Sequence, residues 1–203
     1  MFTGIVTDLG EITSVEKVPA GLRTRIRTQY DPEGIDIGAS IACGGPCHTV
    51  VDKGTDDAGN WFEVDSAAET LALTTVSDWK QGMKLNLERS LKMGTELGGH
   101  LVLGHVDGLA TITKREDHED SVYFQFQAPM EFAPFIAKKG SVALDGTSLT
   151  VNEADGDLFS VFLIPHTLEV TTWSERHVGD KVNLEVDMMA RYAARLAEFS
   201  KAG

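Results

Sequence analysis

Positive charge is scarce in this chain: 18 Lys and Arg stand against 31 Asp and Glu, giving a formal net charge of −13. Phosphate-binding surfaces need clustered Lys and Arg, so this balance argues against a nucleic-acid or anionic-membrane partner. Cysteine is nearly absent too. Cys43 and Cys47 lie so close together that, on a strand, their side chains point the same way but too far apart to bridge. A disulfide-framed secreted fold is thereby excluded, and a C-x-x-x-C metal site finds no further ligands nearby. A reducing cytoplasm is the expected setting. No apolar run approaches the roughly 20 residues that span a bilayer. The opening Met1-Phe2-Thr3-Gly4-Ile5-Val6-Thr7-Asp8 has no basic stretch and reaches an acid before a signal peptide could form. What remains, 203 residues that are 42% hydrophobic and 24% charged, is the composition of a globular protein of one large or two small domains.

The chain repeats itself. Gly4-Ile5-Val6 and Gly10-Glu11-Ile12-Thr13 recur as Gly104-His105-Val106 and Ala110-Thr111-Ile112-Thr113. Ser40-Ile41-Ala42-Cys43-Gly44-Gly45-Pro46-Cys47-His48-Thr49-Val50 matches Ser141-Val142-Ala143-Leu144-Asp145-Gly146-Thr147-Ser148-Leu149-Thr150-Val151, which puts Cys47 of one copy where Ser148 sits in the other. Glu69-Thr70-Leu71 matches His166-Thr167-Leu168, and both copies end alike, in Lys84-Leu85-Asn86-Leu87-Glu88 and Lys181-Val182-Asn183-Leu184-Glu185. Blocks kept in one order with loop-sized drift mark a tandem duplication, joined near Glu96-Leu97-Gly98-Gly99.

Each copy reads as β. Apolar residues alternate with polar ones at Val122, Phe124 and Phe126, at Phe159, Val161 and Leu163, and at Val182, Leu184 and Val186. Short strands punctuated by Gly, Asp and Asn fit a small closed barrel, because closure removes sticky edges. The tail differs: Asp187 can cap a helix whose Met188, Met189, Tyr192, Leu196 and Phe199 recur at helical spacing, with Arg191 and Arg195 on another face. That stripe has two outlets, its own barrel or a neighbouring subunit.

Chemistry-bearing residues are few. Cys47 on its own reads as a small core hydrophobe. Its match to Ser148, with Thr49 and Thr150 shared, gives each copy a thiol or hydroxyl two residues from a second hydroxyl on one strand face, suited to a polar ligand rim or a weak nucleophile. His100 and His105 flank the Gly104 turn without an acidic or thiol partner, which leaves structural and acid–base roles open. Asp145-Gly146 reads as a turn, Lys139 as a solvated surface residue. Gly44-Gly45-Pro46 lacks the Lys-Ser/Thr of a phosphate loop, which excludes nucleotide binding there.

Four motifs together carry a resemblance: Met1-Phe2-Thr3-Gly4-Ile5-Val6, Gly98-Gly99-His100-Leu101-Val102-Leu103-Gly104-His105-Val106-Asp107, Asp145-Gly146-Thr147-Ser148-Leu149-Thr150-Val151 and Ile164-Pro165-His166-Thr167-Leu168-Glu169. Over essentially its whole length the chain resembles the riboflavin synthase alpha-chain family. The resemblance implies an all-β chain of two six-stranded Greek-key barrels, over 1–97 and 98–186, followed by a helix over 187–203 that holds a homotrimer together. It implies a cofactor-free and metal-free reaction in which two molecules of 6,7-dimethyl-8-ribityllumazine exchange a four-carbon unit. The productive site would form between the first barrel of one subunit and the second barrel of a neighbour. Lumazine and riboflavin would be ligands, and association with lumazine synthase would be compatible with such a role.

Carried onto this sequence, the family's catalytic positions are Cys47, Ser40, His105, His100, Asp145, Ser148 and Thr150. Phe2, Gly4, Val6, Ser40, Cys47, Thr49, Thr70 and His105 are assigned to the first barrel's site, with His100 nearby. Lys139, Asp145, Ser148, Thr150, Ile164 and Thr167 are assigned to the second. Ile5, His48, Asp65, Gly104, Val106, Leu149, Leu163, Pro165, His166 and Leu168 complete the expected substrate contacts. One stretch departs: where the family reads Asn-Gly-x-Cys-Leu-Thr-Val, this chain has Gly44-Gly45-Pro46-Cys47-His48-Thr49-Val50. An amide is lost, Pro46 removes an N–H, and His48 faces away from Cys47. The alternative reading is a lumazine-carrying antenna protein, which binds without turnover; a more remote one is an unrelated tandem-barrel binder of sugars or flavins.

Overall fold

A computed structural model describes residues 1–19 and 21–200. Inward Ile, Val, Leu and Phe at every second position make the strands. The first half contains β1 (Asp8–Val18), β2 (Gly21–Arg27), β3 (Ser40–Cys43), β4 (Cys47–Asp56), β5 (Gly59–Ala67), helix α1 (Ala68–Leu73) and β6 (Lys84–Arg89). The second contains β7 (Gly108–Asp117), β8 (Val122–Gln127), β9 (Ser141–Leu144), β10 (Thr147–Thr150), β11 (Glu153–Asp155), β12 (Leu158–Leu163), helix α2 (Pro165–Val170) and β13 (Lys181–Val186), and α3 (Met188–Ser200) follows.

The first half closes into a six-stranded barrel in the order β1-β2-β5-β4-β3-β6. The second forms a seven-stranded sheet, β10-β9-β13-β7-β8-β12-β11, where six strands were expected. It follows the same path with β4 split in two. In β4 the ladder shifts between Val50 and Asp52. At the matching place Val151 donates its N–H to Gly140 and Asn152 donates to Ser160. The Asn152 side chain then accepts the Phe162 N–H at 3.1 Å, so a bulge in one copy becomes a break in the other.

Each half has its own core. Ile12, Ile26, Ile41, Val50, Phe62, Val64 and Leu87 fill the first; Ile112, Phe124, Phe126, Phe159, Val161, Trp173 and Leu184 fill the second. Every such side chain withdrawn from water contributes about 1.5–3 kcal/mol. The halves meet about an internal twofold. Phe2 and Val102 exchange N–H···O bonds of 2.7 and 3.1 Å, and with Ala42, Ala143 and Cys47 they form a small apolar cluster. The Asn86 amide donates to the Asp145 carbonyl at 2.9 Å while the Asn183 amide donates to that of Gly44 at 2.7 Å.

Asp187 caps α3 as its sequence suggests, accepting the Met189 N–H at 2.8 Å. Arg191 fastens the helix to Asp107 at 2.7 Å. Met189, Tyr192, Leu196 and Phe199 are all exposed, so the apolar stripe does not lie on its own barrel. Among the described residues no helix is long and apolar enough to cross a membrane.

Candidate functional site

The chain crosses between barrels before either site is complete. Residues 2–6, at the start of the first repeat, lie against the second barrel: the Gly4 carbonyl accepts the Ser148 N–H at 2.7 Å. Residues 102–106 lie against the first, the Gly104 carbonyl accepting the Cys47 N–H at 2.9 Å. Both glycines have positive φ, +74° and +75°. A Cβ at Gly4 would stand 2.5 Å from the Cβ of Ser148, and one at Gly104 would stand 2.6 Å from that of Cys47. Only glycine fits at such an approach. Gly4 therefore belongs with Ser148, and Gly104, His105 and Val106 with Cys47; Ile5, next to Gly4, lines a separate cavity with Glu88, Arg89 and Gly98. The family resemblance assigned Gly4 to the first barrel's site; the fold seats it against the second.

The first site is a cavity of about 290 Å³ lined by Pro46, Cys47, Thr70, Leu73, Gly104, His105 and Val106, among others. Cys47 opens β4, α1 supplies Thr70, and exposed His105 stands at the mouth. Ser40 pairs with Thr49 across β3 and β4, two residues along from the Ala42–Cys47 pair. Asp65 points outward from β5 but is held by Arg23 through bonds of 2.8 and 2.9 Å.

In the second site His100 is brought to Ser148, with Nδ1 2.7 Å from the hydroxyl. Burial lowers the His100 pKa, which favours the neutral imidazole that a hydroxyl's general base requires. Its Nε2 is buried and has no hydrogen-bond partner among the described residues. His100 was expected near the first barrel and is placed in the second. Thr150 is exposed one strand period beyond Ser148, and Ile164, Pro165 and His166 are exposed where β12 runs into α2. Helix α2, with Thr167 and Leu168, takes the place that α1 has in the first half; Leu168 packs on the core.

Several expected contacts lie elsewhere. Phe2 is fully buried in the cluster between the barrels. Leu149 and Leu163 face the second core, as period-two alternation from Ser148 requires. His48 lies inside the first barrel: Nδ1 is 3.1 Å from the Pro46 carbonyl, Nε2 is 2.9 Å from Ser66 Oγ, and burial pushes its pKa down to about 4. A carbonyl only accepts, so Nδ1 carries the proton and Ser66 donates to Nε2. Asp145 sits at the β9–β10 turn with φ +44°, away from Ser148 on the wall of a groove of about 600 Å³ between the barrels. Its carboxylate takes the Asn183 N–H at 2.8 Å and Arg176 at 2.6 Å. Lys139 is exposed, with φ +65°.

Two features escaped the sequence reading. Phe162 stands half exposed on the outer face of β12 against Tyr123, centroids 5.1 Å apart, where the first barrel has Asp65; an aromatic at an outward position was the signal. Glu88 and Glu185, buried at the ends of β6 and β13, clamp the crossing segments; the shared Asn-Leu-Glu ending both repeats was theirs.

The duplicated frame is that of a known domain: the model of the lumazine binding domain matches residues 3–90 and again 103–187. Solved structures of LumP complexed with riboflavin and with 6,7-dimethyl-8-(1'-D-ribityl) lumazine share the fold, each with a TM-score of 0.77 over 92% of this chain and 99% of that one, at 24% and 23% identity. A riboflavin synthase of Brucella abortus is 59% identical over 204 residues, covering 99% of this chain and 100% of the relative. One of Bacillus subtilis is 39% identical over 195 residues, covering 96% and 89%. The chain belongs to the riboflavin synthase family of transferases.

Proposed function

We propose that this chain transfers a four-carbon unit between two molecules of 6,7-dimethyl-8-ribityllumazine, giving riboflavin and 5-amino-6-ribitylamino-2,4(1H,3H)-pyrimidinedione, the last step of riboflavin biosynthesis. The observation that carries this reading is the presence of two unlike polar sites on one duplicated frame, in a chain 59% identical to a riboflavin synthase along its whole length. The carbon-7 methyl of a lumazine is an unusually acidic carbon acid, and its electron-poor ring accepts a nucleophile. The protein has to hold two rings together, which is worth several kcal/mol as effective concentration, and move protons. Atoms are exchanged between two copies of one substrate, so the chemistry calls for neither cofactor nor metal.

Ser148 and neutral His100 act as the hydroxyl–base pair, with Thr150, Ile164 and Thr167 holding the ring in the second barrel. Cys47, Thr49, Thr70 and His105 hold the other lumazine in the first, Ser40 lying alongside. Asp145, held by Arg176, shapes the hairpin that carries Ser148 and does not touch substrate. The chain divides into barrels over 1–97 and 98–186 and a helix over 187–203, the last three residues lying outside those described. The exposed stripe of α3 supports a homotrimer in which the first barrel of one subunit faces the second barrel of the next. The cytoplasm is the setting.

Incubating the purified chain with 6,7-dimethyl-8-ribityllumazine alone tests the proposal. Riboflavin absorbance is expected, with two lumazines consumed for each riboflavin. Stoichiometric binding without riboflavin would contradict it and point to the antenna reading.

A further inference from the structure

Each site is finished by a segment that the other barrel's last strand holds. Glu88, at the end of β6 in the first barrel, accepts the N–H groups of Thr3 at 2.7 Å and Gly4 at 2.8 Å, and the Thr3 hydroxyl at 2.7 Å. The same Gly4 accepts the Ser148 N–H in the second barrel. Glu185, at the end of β13 in the second barrel, accepts the N–H groups of Leu103 at 2.7 Å and Gly104 at 2.9 Å. That Gly104 accepts the Cys47 N–H in the first barrel, and His105 follows it in the chain.

Both carboxylates are buried, 6% and 4% exposed, so these charge-assisted bonds act with little competition from water. Two oxygens holding two successive N–H groups fix both the height and the tilt of the peptide between them. The glycine has no slack on its other side, since a Cβ added there would stand only 2.5 Å from Ser148 or 2.6 Å from Cys47. A change in either clamp must therefore be transmitted to the strand beyond it.

We infer that Glu88 and Glu185 are positioning residues that act crosswise: Glu88 of the first barrel sets the Ser148–His100 site of the second, and Glu185 of the second sets the Cys47–His105 site of the first. Neither acid touches the thiol or the hydroxyl it governs. Two sites on one chain are thus tied together, each depending on an acid rooted in the other half. The catalytic meaning of this coupling rests on the two-site reading above; the coupling itself is geometric and is tested without turnover.

Thiol alkylation reads each site separately in the full-length chain. Cys47 reports on the first site and Cys43, fully buried, stays silent; a Cys47→Ser, Ser148→Cys variant reports on the second. Glu→Gln keeps one acceptor oxygen but turns an amide N–H against a backbone N–H. Glu185→Gln is expected to change the iodoacetamide rate at Cys47 by about fivefold or more and that at position 148 by less than about twofold, because thiol reactivity follows local access and field. Glu88→Gln is expected to do the reverse. If each acid moves the thiol of its own barrel, if both thiols move equally as a simple loosening of the barrel joint would cause, or if neither moves, the inference is overturned. Should a Gln variant fail to fold, Glu88→Asp and Glu185→Asp, which withdraw the carboxylate by one methylene, carry the same comparison. Absence of riboflavin formation by the parent chain would sink the proposed reaction and leave the alkylation pattern to be judged by itself.

Discussion

In the first barrel the hairpin that carries Cys47 is held from inside by an imidazole, whereas in the second the hairpin that carries Ser148 is held by a carboxylate, a guanidinium and an indole. His48 donates to the Pro46 carbonyl, accepts from Ser66 and lies 5.5 Å from the Trp79 ring. At the matching positions the second barrel has Leu149, Leu163 and Arg176. There Arg176 grips Asp145, where the first barrel has Gly44, and the Trp173 indole donates to Thr147 at 3.1 Å, where the first has Val76 and Pro46. Each polar anchor of one barrel is apolar or absent in the other. A buried hydroxyl left without its imidazole costs more than an apolar pair, and in the second barrel His48 and Ser66 are both replaced, by Leu149 and Leu163. The frame was kept through duplication while the anchoring was exchanged, which freed the two sites to differ.

The largest expected effect is on chemistry. His100→Ala should lower kcat by about 10³-fold, roughly 4 kcal/mol, by removing the base from Ser148. Cys47→Ser, which keeps a small polar group in the holding site, should cost about tenfold. Steady-state kinetics with equal losses would erase the division of labour between the barrels. Next, Arg176→Ala leaves the buried Asp145 carboxylate without its cation and should cost about 3–4 kcal/mol in urea unfolding. A loss below about 1 kcal/mol would show that this ion pair does not hold the hairpin.

The imidazole anchor has a pH signature. His48 titrates near 6.5 when unfolded and near 4 in the fold, so the unfolded chain binds the extra proton first as pH falls. Its contribution is intact above about pH 6.5 and is lost on the way to about pH 4, by about 3 kcal/mol. Urea unfolding of the parent and His48→Leu across that range should show a steeper loss of stability in the parent, the slope common to both coming from groups such as His100. Smallest is the swap that makes the first core like the second. His48→Leu alone strands the Ser66 hydroxyl and should cost about 1–3 kcal/mol. Adding Ser66→Leu should bring stability back to within about 1.5 kcal/mol of the parent; a double variant worse than the single would show that the anchor does not move as a set.

Much of this was legible in the residues. The repeat, the period-two strands and the capped tail with its Met189, Tyr192, Leu196 and Phe199 stripe all reappear, since each is a local pattern. Alternation also put His48 opposite Cys47. The crossing of residues 2–6 and 102–106 was not legible, because a repeat alignment says which residues correspond and not which barrel they pack against. Neither was the withdrawal of Asp145 from its neighbour Ser148, which depends on a left-handed turn whose carboxylate is drawn to Arg176. The extra strand follows from Asn152 intercepting a ladder N–H, a choice between equivalent partners that composition does not decide.

Complementation tests most directly whether two unlike half-sites cooperate across subunits. A chain carrying His100→Ala, defective in the second barrel, is co-expressed with one carrying Cys47→Ala and Thr49→Ala, defective in the first. Mixed assemblies should contain some intact pairings and form riboflavin faster than either variant alone. A rate no higher than the average of the two, from assemblies shown by mass to be mixed, would contradict the account.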